Sequence, residues 1–259
     1  MDELRLFLEI MKYKKGKAEF ASDIVIREIS FRIFINQKLL VTISALPSDL
    51  QELGTGFLWS EGLITDLLEI KDFQFDPQEK FINFNLNIPD DRIRNFQETG
   101  EKTSGCGSSL SAAIDNGAVQ AFSVKTLEAE KILTLMKEFI RSSRLFGETG
   151  GVHIAGLIKN YKIIYFAEDI GRHNAVDKVA GKAISDKENL SEHILFCSGR
   201  ISSEIVKKAV RLHIPLIISK SAPTSEAIRL GWEYKVNLIG FARNERMNLY
   251  TGITELTFT

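Results

Sequence analysis

Glu168-Asp169-Ile170-Gly171-Arg172-His173-Asn174-Ala175-Val176-Asp177-Lys178 follows directly on a strand predicted at 161–167 and runs into a helix predicted near 174–186. Seven of its eleven residues are charged or carry an amide or imidazole, more than a plain connection requires. Such a junction marks an α/β protein, in which ligands bind beyond the carboxyl ends of strands. Outward from it the same rhythm continues. A strand is predicted at 152–158, joined to the next by a turn at Lys159-Asn160; after the junction come strand 194–197, helix 202–213, strand 215–218, helix 223–232 and strand 237–241. That alternation predicts a sheet with parallel strands covered by helices. Upstream, Thr126 can cap a helix carrying Ile132, Leu133, Met136, Phe139 and Ile140 on one face, which Gly147 to Gly151 ends.

The N-terminal part has a different period. Phe31, Ile33 and Ile35 alternate with polar neighbours, Asn36-Gln37 supplies a turn, and Leu39, Val41 and Ile43 resume the alternation, which predicts a half-buried hairpin. Ile82, Phe84, Leu86 and Ile88 alternate with Asn83, Asn85 and Asn87, so one face there is wet. Between them, Ser48 and Gln51 have capping-box spacing, followed by Leu50, Leu53 and Phe57 at helical spacing. Residues 89 to 120 are rich in Ser, Thr and Gly, and a domain boundary is predicted near 120. The expected organisation is a small α+β domain over 1–120, ending in a loop with Cys106, and an α/β domain over 121–259. There is no internal repeat and no low-complexity segment.

Composition narrows the function classes. A chain of 259 residues is one large domain or two small ones. Lys and Arg total 33 against 34 Asp and Glu, a net charge of −1, which argues against a broad electrostatic grip on nucleic acid or anionic lipid. The 44% hydrophobic and 26% charged content is that of an ordinary globular protein. No run of about 18 apolar residues exists for a membrane span. Met1-Asp2-Glu3 lacks the positive charge and apolar stretch of a secretory signal, so a cytoplasmic location is expected. Two cysteines, Cys106 and Cys197, are too few for a disulfide framework or a four-thiolate zinc site, so cysteine chemistry falls to a single thiol.

Five segments can carry chemistry. In Thr103-Ser104-Gly105-Cys106-Gly107-Ser108-Ser109, flanking glycines remove bulk around a thiol that can take up and pass on sulfur as a persulfide; a spare loop cysteine is the alternative. Cys197, at a strand end after Ile194-Leu195-Phe196, reads as core. Arg172 and His173 belong to the opening junction, where His173 alone reads equally as a structural histidine. Ser198-Gly199-Arg200-Ile201-Ser202-Ser203 and Ser219-Lys220-Ser221-Ala222-Pro223-Thr224-Ser225 bridge strands to helices with small hydroxyls, a cation and exposed N–H groups. Phosphate suits such helix starts, with Ser198, Arg200, Ser219 and Ser221 as candidates beside Arg172; ordinary capping is the alternative. Phe241-Ala242-Arg243-Asn244-Glu245-Arg246 ends the last predicted parallel strand with two guanidinium groups suited to phosphate or a guanine edge; an exposed charged turn is the alternative. No P-loop, dinucleotide fingerprint, H-E-x-x-H or C-x-x-C occurs, and His153, His173, His193 and His213 lack ligand spacing, so no metal site and no zinc are expected.

Together the stretches Gly56-Phe57-Leu58-Trp59-Ser60-Glu61-Gly62, Thr149-Gly150-Gly151-Val152-His153, Glu168 to Gly181, Ser198 to Glu204, Ser219 to Ser225 and Gly240-Phe241-Ala242-Arg243 resemble the FdhD/NarQ family, the formate dehydrogenase accessory sulfurtransferases. The resemblance implies a sulfur carrier that accepts persulfide sulfur from a cysteine desulfurase and delivers it to molybdenum bis(molybdopterin guanine dinucleotide), bound as substrate, before that cofactor enters formate dehydrogenase. It implies Cys106 as the catalytic thiol, Phe241 to Arg246 as the cofactor-binding stretch, a homodimer, and no nucleic-acid or membrane partner. The family loop usually carries a C-x-x-C pair; here Ser109 stands at the second position, so the mechanism must need one thiol only. It further implies a cytidine-deaminase-like layered C-terminal domain. The counterparts that this resemblance implies for the deaminase zinc motifs, His173-Asn174-Ala175 and Ser198-Gly199-Arg200, keep neither the glutamate nor the cysteine pair. Two alternatives differ in outcome: a non-catalytic chaperone that only shelters the cofactor would survive loss of Cys106, and a residual deaminase-like hydrolase would hold zinc.

Overall fold

The computed structural model describes residues 3–99, 126–252 and 257–259. The predicted boundary near 120 and the segment Thr103–Ser109, with Cys106, lie outside the described residues.

A hairpin opens the chain, β1 (Arg5–Lys14) with β2 (Lys17–Ile26), neither anticipated individually from sequence. Then follow β3 (Ile29–Ile35), β4 (Lys38–Ala45), α1 (Leu50–Ser60), β5 (Ile70–Asp76), β6 (Phe81–Leu86) and α2 (Asp90–Thr99). The predicted β3–β4 hairpin turns at Asn36 and Gln37, both at positive φ, the geometry that matches strand twist in a two-residue loop. Phe31, Ile33, Ile35, Val41 and Ile43 are buried. Leu39 departs from the prediction. The register shifts between Ile33 and Phe34, so Leu39 pairs with Phe34 and turns to solvent. In the four-stranded sheet β4-β3-β6-β5, Ile82, Phe84 and Leu86 point into a core shared with Leu53 and Phe57 of α1.

The capping box at Ser48 does not form. Asp49 precedes α1 at φ 49° with no side-chain cap, and its carboxylate instead pairs with Lys182 at 2.9 Å. A tertiary ion pair outcompetes the local cap there.

After β7 (Thr126–Leu127) come α3 (Ala129–Ser142) and α4 (Arg144–Thr149). Thr126 is therefore a strand residue and does not cap the helix. The single helix expected up to Gly147 breaks at Ser143, whose hydroxyl accepts the Phe146 N–H and starts α4. The remaining elements are β8 (His153–Lys159), β9 (Lys162–Asp169), α5 (Arg172–Ser185), β10 (Ile194–Cys197), α6 (Ser203–Arg211), β11 (Leu216–Ser219), α7 (Ser225–Glu233), β12 (Asn237–Arg243), β13 (Arg246–Leu249) and β14 (Thr257–Phe258), the last paired with β7.

The large sheet has the order β13-β12-β11-β10-β8-β9. It is mixed. β10, β11 and β12 are parallel neighbours, while the tight turns Asn160-Tyr161 and Asn244-Glu245, all at positive φ, join antiparallel pairs at both edges. Because β8 opposes both β9 and β10, β9 runs with β10, β11 and β12. The carboxyl ends of these four strands therefore share one edge. Leu157, Leu195, Ile217 and Leu238 pack with α5, α6 and α7 on one face; Ile158, Phe196, Ile218 and Ile239 pack with α3 on the other.

α1 crosses α5 closely enough to need glycine on both helices. A Cβ on Gly56 would lie 1.8 Å from the Asp177 carbonyl oxygen, and one on Gly181 would lie 2.0 Å from that of Glu52. Beside the crossing, buried Lys208 donates to both carboxylate oxygens of Asp177 (2.9 and 3.0 Å), to Glu61 (2.5 Å) and to the Ser60 hydroxyl (2.8 Å). This joins the small sheet's helix to the large sheet's helices.

Candidate functional site

The polar junction after β9 is largely a brace. Fully buried Asp169 accepts the Leu46 N–H (3.0 Å) and the Lys178 ammonium (2.7 Å) on one oxygen, and the Gly171 N–H (2.9 Å) and Asn174 amide (2.8 Å) on the other. Lys178 also donates to the carbonyls of Leu46 and Glu168. Burial lowers its pKa and Asp169 opposes that. Glu168 accepts from the Ser143 hydroxyl, and burial raises its pKa. Three of the seven polar residues that read as ligand-facing, Asp169, Asn174 and Lys178, thus tie β9, α5 and the β4–α1 connection together, and Glu168 ties β9 to Ser143.

The three strand-to-helix loops are laced to one another. Ser198 Oγ accepts the Ile154 N–H at 3.0 Å and lies 3.5 Å from His153 Nδ1, whose pKa is lowered by burial and then by Arg172. Ser219 Oγ donates to the Gly199 carbonyl (2.6 Å) and accepts the Ser221 N–H (3.0 Å); Ser221 Oγ donates to the Ser198 carbonyl (2.8 Å); the Phe241 N–H donates to the Ser221 carbonyl (3.1 Å). Gly199 fits because a Cβ would crowd Arg172 and His153 at 3.1 and 3.2 Å. His173 Nε2 sits 3.3 Å from Ser202 Oγ and 3.8 Å from Glu204. Arg200 is exposed. Cys197 is buried as expected, and burial pushes its thiol up to about 11.

Beside this edge, on the α3 side of the sheet, a cavity of about 700 Å³ opens. Ala242, Arg243, Asn244 and Glu245 at the β12–β13 turn, Lys220 of the β11–α7 loop, and Leu133, Thr134, Met136, Lys137, Ile140 and Arg141 of α3 line it. The turn is aimed by a register shift between Gly240 and Arg243, where Phe241 adopts φ 55°. Arg243 and Arg246 lie over the Phe241 ring, 5.6 and 5.8 Å from its centroid. Lys220 lies over Phe146 at 5.3 Å. Among the described residues, Lys137, Arg141, Lys220, Arg243 and Glu245 have no ion-pair partner. Four cations against one carboxylate, Glu245, around one hollow make a seat for a polyanion, and a phosphate-bearing ligand is the common kind.

Of the predicted residues, Ala242, Arg243, Asn244 and Glu245 line the cavity, and Phe241 and Arg246 join it through their stack. Ser219 and Ser221 flank Lys220. Arg172, His173, Ser198 and Arg200 are not among the lining residues. Sequence reasoning missed Lys137 and Arg141, because α3 was read for its apolar stripe alone; their i, i+4 spacing beside that stripe was the available signal. Among the described residues no three His, Cys, Asp or Glu side chains gather as a metal site, and no helix is long and apolar enough to cross a membrane.

The model of the FdhD/NarQ family matches residues 26–257. Sulfur carrier protein FdhD of Wolinella succinogenes is 38% identical over 231 residues, 88% of this chain and 81% of that protein. The protein of the same name from Shouchella clausii is 36% identical over 250 residues, 94% of this chain and 93% of that one. A crystal structure assigned as a formate dehydrogenase accessory protein, from Desulfotalea psychrophila, superposes with a TM-score of 0.78 at 26% identity, covering 98% of this chain and all of that one.

Proposed function

The chain belongs to the FdhD/NarQ family, and on that premise we propose that it is a sulfur carrier serving formate dehydrogenase: a sulfurtransferase that loads sulfur on Cys106 and hands it to a molybdenum guanine-dinucleotide cofactor held in the cavity between α3 and the β12–β13 turn. The single observation that carries the reading is the convergence of Lys137, Arg141, Lys220 and Arg243, with Glu245 the one carboxylate among the lining residues, on a hollow large enough for a nucleotide. It coincides with the stretch that the family resemblance assigns to the cofactor.

In the loading step the Cys106 thiolate attacks the outer sulfur of a desulfurase persulfide. A new S–S bond forms on Cys106, the donor's S–S bond breaks, and the donor cysteine leaves as thiolate. In delivery, an electron pair from the reduced acceptor attacks that outer sulfur and Cys106 departs as thiolate. Neither step needs a second cysteine, which fits Ser109 at the position where the family usually has one. Cations of the cavity bind and orient the phosphates of the acceptor; the Phe241 stack with Arg243 and Arg246 offers a platform for its base. The succession from α3 through β8, β9, α5 and β10 to α6 supports the cytidine-deaminase-like reading of residues 121–259.

The test is complementation of a strain lacking its own carrier, scored by formate dehydrogenase activity. Sulfur transfer predicts that Cys106→Ala and Arg243→Ala both fail; activity retained in Cys106→Ala would leave only a sheltering role.

A further inference from the structure

Ser219 and Ser221 read as phosphate ligands in the sequence, yet their hydroxyl protons are spent inside the protein. A serine hydroxyl has one proton to give. Ser219 Oγ gives it to the Gly199 carbonyl at 2.6 Å, and Ser221 Oγ gives it to the Ser198 carbonyl at 2.8 Å. Neither keeps a donor for a phosphate oxygen. The acceptor at Ser198 is firmly placed, because that residue exchanges two hydrogen bonds with Ile154 of β8, N–H to carbonyl and N–H to Oγ, each at 3.0 Å.

What the two serines hold is Phe241. Ser219 Oγ accepts the Ser221 N–H at 3.0 Å, and the Ser221 carbonyl accepts the Phe241 N–H at 3.1 Å. One residue earlier, β12 touches the same loop: a Cβ on Gly240 would come within 2.9 Å of Pro223 Cδ and 3.1 Å of the Ser221 carbonyl oxygen. Phe241 needs the hold, since φ 55° is a costly backbone for a residue other than glycine. Given a nucleotide seated in the cavity beside it, we propose that Ser219 and Ser221 are positioning residues: they do not touch the ligand, and through the Phe241 backbone they aim its ring at the ligand's base. The phosphates depend on them less. Lys137 and Arg141 stand on α3, and the Lys220 N–H is held by the Cys197 carbonyl at 3.2 Å, independent of either hydroxyl.

Calorimetry on the full chain with guanosine diphosphate and, separately, inorganic pyrophosphate tests this in a double-mutant cycle with Phe241→Leu. Ser221→Ala weakens guanosine diphosphate about tenfold, the order of one hydrogen bond lost and its partner stranded. Pyrophosphate, which has no base, binds Ser221→Ala as it binds the wild type. In the Phe241→Leu chain, Ser221→Ala costs nothing further, because the group it acts through is gone. Ser219→Ala reaches Phe241 one bond further back and repeats the pattern with a smaller loss, so either variant alone decides the matter. An equal loss from Ser221→Ala with and without the Phe241 ring overturns the inference, since the serine then meets the ligand itself. Parallel losses for both ligands overturn it too, as the mark of general support of the fold, and so does a Ser221→Ala chain that binds guanosine diphosphate normally. A wild type that binds neither ligand sinks the cavity reading itself, and this inference with it.

Discussion

The Arg243 guanidinium lies 5.6 Å from the centroid of the Phe241 ring, with the ring's other neighbour, Arg246, at 5.8 Å. Phe241 is held in the left-handed region of backbone space at the point where β12 shifts register, and its N–H is tied to the Ser221 carbonyl. The strain and the stack together fix the direction of the β12–β13 turn, and with it one wall of the cavity.

Arg243→Ala removes a cation that lines the hollow and releases the stack. Guanosine diphosphate binding, followed by calorimetry, should weaken by about 1.5–3 kcal/mol, the worth of a charge-assisted hydrogen bond. Arg243→Lys keeps the charge and loses the planar fork, and recovers part of that. Unchanged binding in Arg243→Ala would remove the cavity from the account.

Lys137 and Arg141 contribute charge from a different element. Lys137→Ala with Arg141→Ala should weaken the same ligand and flatten its salt dependence between about 0.05 and 0.5 M salt, because fewer screened contacts remain. α3 keeps its buried Ile132, Met136 and Phe139, so the melting temperature should hold. A salt slope equal to that of the wild type would contradict the role given to α3.

Asp177 supplies a pH signature of the joint between α1, α5 and α6. Burial pushes its pKa to about 6 from an ordinary 3.8, with Lys208 pulling the other way. A folded-state pKa raised in this way favours folding below the unfolded value, and that contribution is lost as pH rises through the folded value. The stability difference between wild type and Asp177→Asn, from urea unfolding, should therefore fall from pH 4 to about 6 and level off above. A pH-independent difference would contradict this. Lys208→Met leaves the buried Glu61 and Asp177 carboxylates without their cation and should cost about 3–5 kcal/mol.

Cys197 should be inert. With its thiol pushed up to about 11 by burial, roughly one molecule in a thousand is thiolate at pH 8. Alkylation of the folded chain should spare it, and urea should expose it. Rapid native labelling of Cys197 would show that the end of β10 opens.

Strand 194–197 was legible to the residue, because a short apolar run bounded by turn residues has few other solutions. The helices after β9 and β10 were legible because small polar residues separate them from strands. The edges were not. β13 is four residues with mixed burial, and nothing in Arg246-Met247-Asn248-Leu249 marks it beyond the turn that precedes it. The tight turn between the strands at 152–158 and 161–167 was legible and makes the antiparallel β8–β9 pair, whereas the Asn244-Glu245 turn adds an antiparallel edge strand where alternation suggested parallel order alone. At the site, the segment from Phe241 to Arg246 was legible from its paired arginines. The burial of Asp169 and Lys178 in each other was not, since a strand-end carboxylate reads the same whether it meets ligand or a lysine nine residues along. Cys106 was picked from its flanking glycines and lies outside the described residues.

The central claim is that Cys106 itself carries the sulfur. Intact-protein mass spectrometry after incubation with a cysteine desulfurase and cysteine tests it most directly, with Cys106→Ala and Cys197→Ala run beside the wild type. The account predicts one added sulfur atom, removable by reductant, on the wild type and on Cys197→Ala, and none on Cys106→Ala. Sulfur retained by Cys106→Ala, or absent from the wild type, would contradict it.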